Sequence, residues 1–357
     1  MSGPNGEFRI SSLLRKTGEW LKGTGPESDI VISTRVRLAR NLSRFPFLTT
    51  APASRRQEIE QFIRKKLETA GLPRKIHYIP LHSATPLERQ LLLERHLISR
   101  EHALAEGERG VAITEDETVA IMVNEEDHLR LQVIRSGFQP QEAFEEVQKL
   151  DDLLEVKLTY AFSPQYGYIT CCPTNLGTGL RASVMLHMPG LVYTKQVEKI
   201  LQSLQKVSYN IRGYFGEGTS PVGDFFQVSN QATLGRSEGE IVDELRKVIP
   251  EILKVERGLR EKLVREQGAR LEDRVMRAYG ILKNARVLTS EECMEHLSAL
   301  RLGINVGTIT NIPLSLINEI FLQTQPGHLQ TARGVEIESD QRDRLRAELL
   351  RERLKAL

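Results

Sequence analysis

The sequence predicts an α+β fold in which an antiparallel sheet is flanked by helices and followed by an all-helical C-terminal region. Short β-branched runs bounded by turn residues recur between residues 30 and 229. Amphipathic helical stretches are interleaved with them, an order that favours antiparallel pairing over repeated parallel crossovers. Beyond Ser229 the chain becomes charged, helical and nearly free of breakers.

Taken in order, residues 11–22 read as a short helix closed by Gly23-Thr24-Gly25-Pro26, and residues 30–32 as the first buried strand. Residues 54–70 place Ile59, Phe62, Ile63 and Leu67 on one helical face, with Ser54 and Gln57 spaced as a capping box and Gly71 as the stop. Residues 111–114 and 118–123 form a hairpin pattern around Glu115-Asp116-Glu117. Helices are expected at 141–154 and 195–206, and strands at 166–171, 208–215 and 225–229. Ser237 and Glu240 make a second capping box opening a helix that reaches residue 267. Further helices are expected at 289–300, 314–322 and 340–357. The expected organisation is a lead at 1–28, a catalytic unit at 29–255 and a helical domain at 256–357.

A chain of 357 residues with 40% hydrophobic and 27% charged content can bury a large core. Its 49 Lys and Arg against 47 Asp and Glu argue against nucleic acid or an anionic membrane as the main partner. Cys171, Cys172 and Cys293 fit neither a disulfide framework nor a metal site, and no apolar run is long enough to span a bilayer. The expectation is a cytoplasmic protein without a protein-ligated metal.

Three segments concentrate residues that folding does not require. In Ser33-Thr34-Arg35-Val36-Arg37, the two arginines alternate with apolar positions as on a strand, so both guanidinium groups face one way. Such a pair suits phosphate, although an exposed strand face gives the same alternation. Asn124-Glu125-Glu126-Asp127-His128, with Arg130 beyond, crowds carboxylates at a strand end, which a bound cation would relieve; a solvated acidic turn is the alternative. Cys172-Pro173-Thr174-Asn175-Leu176-Gly177-Thr178-Gly179-Leu180-Arg181-Ala182-Ser183-Val184-Met185 is glycine-rich but lacks the Lys-Ser or Lys-Thr of a phosphate loop, and Arg212-Gly213-Tyr214-Phe215-Gly216-Glu217 follows later. Glycines there allow close approach of backbone or form a plain turn.

Together these segments resemble the phosphagen (guanidino) kinases, whose Asn-Glu-Glu-Asp-His signature, Cys-Pro-Thr-Asn-Leu-Gly-Thr stretch and phosphate-binding arginines occur here in order between residues 29 and 253. The resemblance implies a phosphagen-kinase core using ATP and Mg²⁺. Arg35, Arg37, Arg130, Arg181 and Arg212 would hold the phosphates, with Ser33, Thr34, Val36, His96, Ala182, Ser183, Val184, Met185, Gly213, Tyr214, Phe215 and Gly216 completing the nucleotide site. Glu126 and Glu217 would be the catalytic carboxylates, and Cys172 a thiolate beside the substrate guanidinium, an inert buried thiol being the alternative.

Fewer than thirty residues precede the core, where phosphagen kinases carry a helical domain, and a helical region containing Arg342-Asp343-Arg344-Leu345-Arg346-Ala347 follows it. This combination resembles the bacterial protein-arginine kinases of the McsB family. It implies protein substrates with exposed arginines, delivery to a Clp-type unfoldase-protease, action on a heat-shock transcription repressor, and a possible activator protein. A homodimer or higher oligomer and an allosteric phosphoarginine site at residues 342–347 are also expected. A kinase of free arginine or another small guanidino compound would share the catalytic set, and a non-enzymatic adaptor ranks behind both because none of that set is missing.

Overall fold

The computed structural model describes residues 8–213 and 222–355. Its strands are β1 (Val31–Arg40), β2 (Ile76–Pro80), β3 (Gly110–Thr114), β4 (Val119–Val123), β5 (Leu129–Ser136), β6 (Phe162–Ser163), β7 (Gly167–Tyr168), β8 (Leu180–His187), β9 (Tyr209–Arg212) and β10 (Phe225–Asn230). Eight of them form one antiparallel sheet in the order β2-β3-β4-β5-β1-β8-β10-β9, and β6 pairs with β7 apart from it. The helices are α1 (Ala53–Glu68), α2 (Pro86–Glu94), α3 (Arg100–Leu104), α4 (Pro140–Glu155), α5 (Pro189–Tyr193), α6 (Val197–Lys206), α7 (Glu238–Asn284), α8 (Ser290–Asn305), α9 (Leu314–Gln323), α10 (Pro326–Arg333) and α11 (Ser339–Lys355). The architecture is α+β, as the sequence predicts.

The period of two along each strand sorts residues onto two faces with different fates. On one face Val36, Leu38, Leu131, Val133, Ala182, Val184, Phe226 and Val228 join the main core beneath α1, α4 and the first half of α7. The other face is covered at its two ends only. Val111, Ile113, Ala120 and Met122 pack under α2 and α3. Ile32, Ile134, Met185 and Phe225 pack against the C-terminal helices. Between these covered ends the same face carries polar residues, and there the cleft opens.

Local expectations are corrected in several places. Residues 11–22 form two 3₁₀ turns, Ile10–Arg15 and Glu19–Leu21, separated where Gly18 is extended. The box at Ser54 does not form: Pro52 stands at the N-cap, and its carbonyl accepts from the Arg55 and Arg56 amides. In 166–171 only Gly167 and Tyr168 are paired as strand, because the Cys171 amide is claimed by the Asp127 carboxylate at 2.7 Å. Of 208–215, Tyr209–Arg212 is strand, and Tyr214 and Phe215 lie outside the described residues. The Ser237 box does close, with the Ser237 amide donating to Glu240 at 2.7 Å and the Glu240 amide to Ser237 at 3.2 Å. The helix it opens, α7, spans 47 residues, contains Pro250 and kinks at non-helical Gln267.

Candidate active site

β1 sits at the centre of the sheet and delivers Arg35 and Arg37 to the open stretch of its polar face. Register places Arg37 opposite Arg181 on β8 and Gln132 on β5, and Arg35 opposite Ser183. Arg130 lies opposite Ala39, two pairs further along and so on the same face, and Arg212 opposite Gln227 on β10. All five arginines line one cleft of about 720 Å³, together with His96, Glu125, Glu126, Cys172, Gln227 and Asn230.

The cluster is electrostatically loaded. Burial and then the neighbouring Arg181, Arg130 and Arg212 push the Arg35 guanidinium down to about 10, and burial, then Arg35, push Arg37 well below its ordinary value. Nε of both has no hydrogen-bond partner among the described residues. His96 is driven to about 3 by burial and by Arg35 and Arg37, so its ring is neutral. Half-buried cations and unsatisfied donors gathered at one spot form a receptor for a polyanion.

The acidic motif divides its labour. Asn124 adopts a left-handed backbone (φ 57°), and its side chain donates to the Arg56 and Glu108 carbonyls. Asp127 accepts from Asn41 at 2.6 Å and from the Cys171 amide, and His128 accepts the Leu42 amide at 3.0 Å. These three are scaffold. Glu125 is buried, accepts from Arg130 at 2.7 Å and from Ser99, and bonds the Glu126 amide. Burial raises its carboxyl, but Arg130 and those donors outweigh burial and leave it below the ordinary value. Glu126 is 43% exposed, 3.1 Å from Arg130, and held above the ordinary value by burial, which Arg130 only partly opposes. It is the carboxylate of the motif most available to an incoming cation, with the raised basicity a proton acceptor needs.

Other sequence-predicted residues fall into distinct places. Ser33, Ser183 and Met185 meet Arg35 and His96 at a small recess of the sheet face. Thr34 points to the opposite face, its hydroxyl donating to the Gly137 carbonyl at 2.7 Å, and Val36, Ala182 and Val184 are buried in the main core. As side-chain ligands these four are corrected, because strand alternation turns them from the cleft. Cys172 lines the cleft with Sγ 3.0 Å from Thr174 Oγ1. Glu217, Tyr214, Phe215 and Gly216 lie outside the described residues, which end on that side at Gly213. Gly177 and Gly179 serve close packing of protein backbone: both have positive φ, and a Cβ would meet Thr233 O at 2.6 Å or Ala39 O at 2.6 Å. The C-terminal motif is split as well, for Arg342, Asp343 and Leu345 are half-buried and Arg344 is exposed, whereas Arg346 and Ala347 are fully buried.

Sequence reasoning missed Gln227 and Ser229, which alternate with Phe226 and Val228 on β10 as the arginines do on β1; Ser229 accepts from Arg181 at 3.1 Å. The period of two was the available signal. It also missed Arg40, which is buried, ion-paired to Asp151 at 2.7 Å and stacked 3.5 Å from the Tyr168 ring, pinning the end of β1.

Residues 58–259 match the ATP:guanido phosphotransferase C-terminal catalytic domain, and residues 268–357 match the protein-arginine kinase McsB C-terminal domain. The protein-arginine kinase of Brevibacillus brevis is 46% identical over 341 residues, covering 95% of each chain. That of Halothermothrix orenii is 43% identical over 346 residues, covering 97% of this chain and 99% of its own. Among solved structures, the duplicated taurocyamine kinase of Schistosoma mansoni with bound transition state analog components aligns with TM-score 0.59 and 28% identity, over 69% of this chain and 35% of that one. Lombricine kinase aligns with TM-score 0.58 and 27% identity, over 72% and 73% of the two chains. A chain that aligns along nearly its whole length with such kinases, and whose catalytic and C-terminal halves are each matched, belongs to the protein-arginine kinase family of ATP:guanido phosphotransferases.

Proposed function

We propose that this chain transfers the γ-phosphoryl group of ATP to arginine side chains of proteins. The observation that carries the proposal is the convergence of Arg35, Arg37, Arg130, Arg181 and Arg212 on one sheet face beside the half-exposed carboxylate of Glu126. The activity named for the full-length relatives supports it.

A guanidinium is a poor nucleophile because its charge is delocalised and its pKa exceeds about 12, so attack needs a proton removed and one nitrogen aimed. Glu126 would accept that proton and orient the planar group, with Glu217 proposed as a second carboxylate. The arginines would hold the phosphates and neutralise charge that spreads over the transferring group. No group of three or more His, Cys, Asp or Glu side chains suited to a metal occurs among the described residues. We assign Mg²⁺ to the nucleotide substrate, bound through phosphates and water. A catalytic Cys172 remains part of the proposal, supported by its position on the cleft wall.

The McsB resemblance supports finer proposals: clients handed to a Clp-type unfoldase-protease, a heat-shock transcription repressor among them, homo-oligomerisation, a cytoplasmic setting and phosphoarginine regulation at residues 342–347. None of the described helices is long and apolar enough to cross a membrane. The test is ATP offered with a protein mixture and with free arginine, read as acid-labile phosphate. Phosphate on protein with a much lower kcat/KM for free arginine is expected; comparable values would favour the small-molecule kinase.

A further inference from the structure

Among the described residues, those that line the cleft all precede residue 234, and none comes from the C-terminal helices. One buried polar joint nevertheless links them to it. Glu94, at the end of α2 and 1% exposed, accepts from the Gly327 amide at 2.7 Å, the His328 amide at 3.0 Å and His328 Nδ1 at 2.8 Å, with Gln90 donating at 3.0 Å. It therefore caps the N-terminus of α10, where a carboxylate meets otherwise orphaned amides and the positive end of the helix dipole.

The joint continues into the cleft wall. With Nδ1 donating to Glu94, Nε2 of His328 is the acceptor facing Arg95 at 3.2 Å. Arg95 is itself clamped by buried Glu117 and by the Lys16 carbonyl at 2.8 Å. The next residue, His96, lines the cleft in a left-handed conformation, φ 57°, which a non-glycine residue holds only where its surroundings over-determine it. Its carbonyl accepts from Gln132 at 2.7 Å, and its ring meets Trp20 edge-on at 5.1 Å. Gln132 is the register partner of Arg37. On the far side, the same α9–α10 turn is held from α11, because Arg346 Nε donates to the Thr324 carbonyl at 2.9 Å.

We propose that Glu94 and His328 are positioning residues for the phosphoryl-transfer site: docking of α10 on α2 holds the His96 turn against the Arg35–Arg37 pair and so sets ATP affinity. The proposal deepens the kinase reading and rests on it. Neither residue touches the nucleotide; both act through Arg95 and His96. A carboxylate and a guanidinium, Glu94 and Arg95, buried at a junction between regions are an expensive way to hold a helix in place, and their continuation through neutral His328 into a strained cleft residue gives them a second use.

The experiment measures direct ATP binding by calorimetry and, separately, kcat and KM on an arginine-containing protein. His328→Ala and Glu94→Gln should weaken ATP binding roughly tenfold, the scale of one lost buried hydrogen bond, with kcat changed much less. His328→Asn keeps a donor toward Glu94 where Nδ1 stands, and with it the docking of α10, but loses the acceptor facing Arg95, so it should recover part of the affinity that His328→Ala loses. Should the first variants fail to fold, Gln132→Met removes the donor to the His96 carbonyl from within the sheet and should reproduce the loss. Folded variants with wild-type ATP affinity, or equal behaviour of His328→Asn and His328→Ala, would overturn the joint. Wild-type protein that binds ATP but phosphorylates no arginine would instead overturn the kinase reading and leave the binding measurement intact.

Discussion

Replacing Glu126 by Gln separates chemistry from folding more cleanly than any other change at this site. The amide keeps the size of the side chain and an oxygen able to accept from Arg130, which lies 3.1 Å away. It removes the proton acceptor. Turnover should fall roughly 10²–10⁴-fold, the range of a positioned general base, or about 3–5 kcal/mol of transition-state stabilisation. Stability should not fall, and the sign follows from the raised carboxyl. A carboxylate whose folded pKa lies above its unfolded value costs stability once pH exceeds the unfolded value, so a neutral amide relieves that cost at neutral pH. The same shift places the acid limb of the wild-type kcat/KM profile above the ordinary glutamate range, because protonated Glu126 cannot act as base. Transfer of labelled phosphate to protein arginine, ATP calorimetry and a thermal melt form the assay. Turnover within tenfold of wild type would remove Glu126 from the mechanism, and a melting point lowered by several degrees would show the loss to be structural.

Arg181→Ala should lower kcat more than ATP affinity if Arg181, opposite Arg37 and bonded to Ser229, meets charge that develops during transfer. Arg35→Ala and Arg37→Ala should show the reverse split by calorimetry and kinetics. Arg37→Met should also raise the nucleotide-free melting temperature, since it removes a cation that burial and Arg35 disfavour; a lower one would refute the strained cluster. Arg346→Met should cost about 3–5 kcal/mol in chemical denaturation, the scale for breaking a buried charged network, because its donors serve Thr324 O, Leu288 O and Asp343. The regulatory proposal at residues 342–347 is thus better tested at Arg342 and Arg344. Their alanine variants should lose phosphoarginine binding outside the active site without that destabilisation, and unchanged binding would eliminate the site.

The alternation of Arg35 and Arg37 with Val36 and Leu38 determined by itself that two guanidinium groups share a face, since a strand has a period of two whatever it pairs with. The capping box at Ser237 was likewise legible from its three-residue spacing, whereas the same spacing at Ser54 formed none because the helix there has Pro52 at its N-cap. Chain-local signals of this kind also set the helical character of the C-terminal region. The bounds of β1, the strand β8 and the fate of each acidic residue in Asn124-Glu125-Glu126-Asp127-His128 were not legible. Asp127 serves Asn41 and the Cys171 amide, Glu125 serves Arg130 and Ser99, and Glu126 stays available, a division made by neighbours from distant segments. Arg346 looks like a surface cation in its own helix and is buried because α11 packs on the α9–α10 turn and on the segment at Leu288. The Glu94–His328 contact joins residues 234 positions apart, and no local pattern announces it. Sequence specifies what a segment can do with its own backbone and side chains; which of those groups remain free for a substrate is settled when distant segments claim the others.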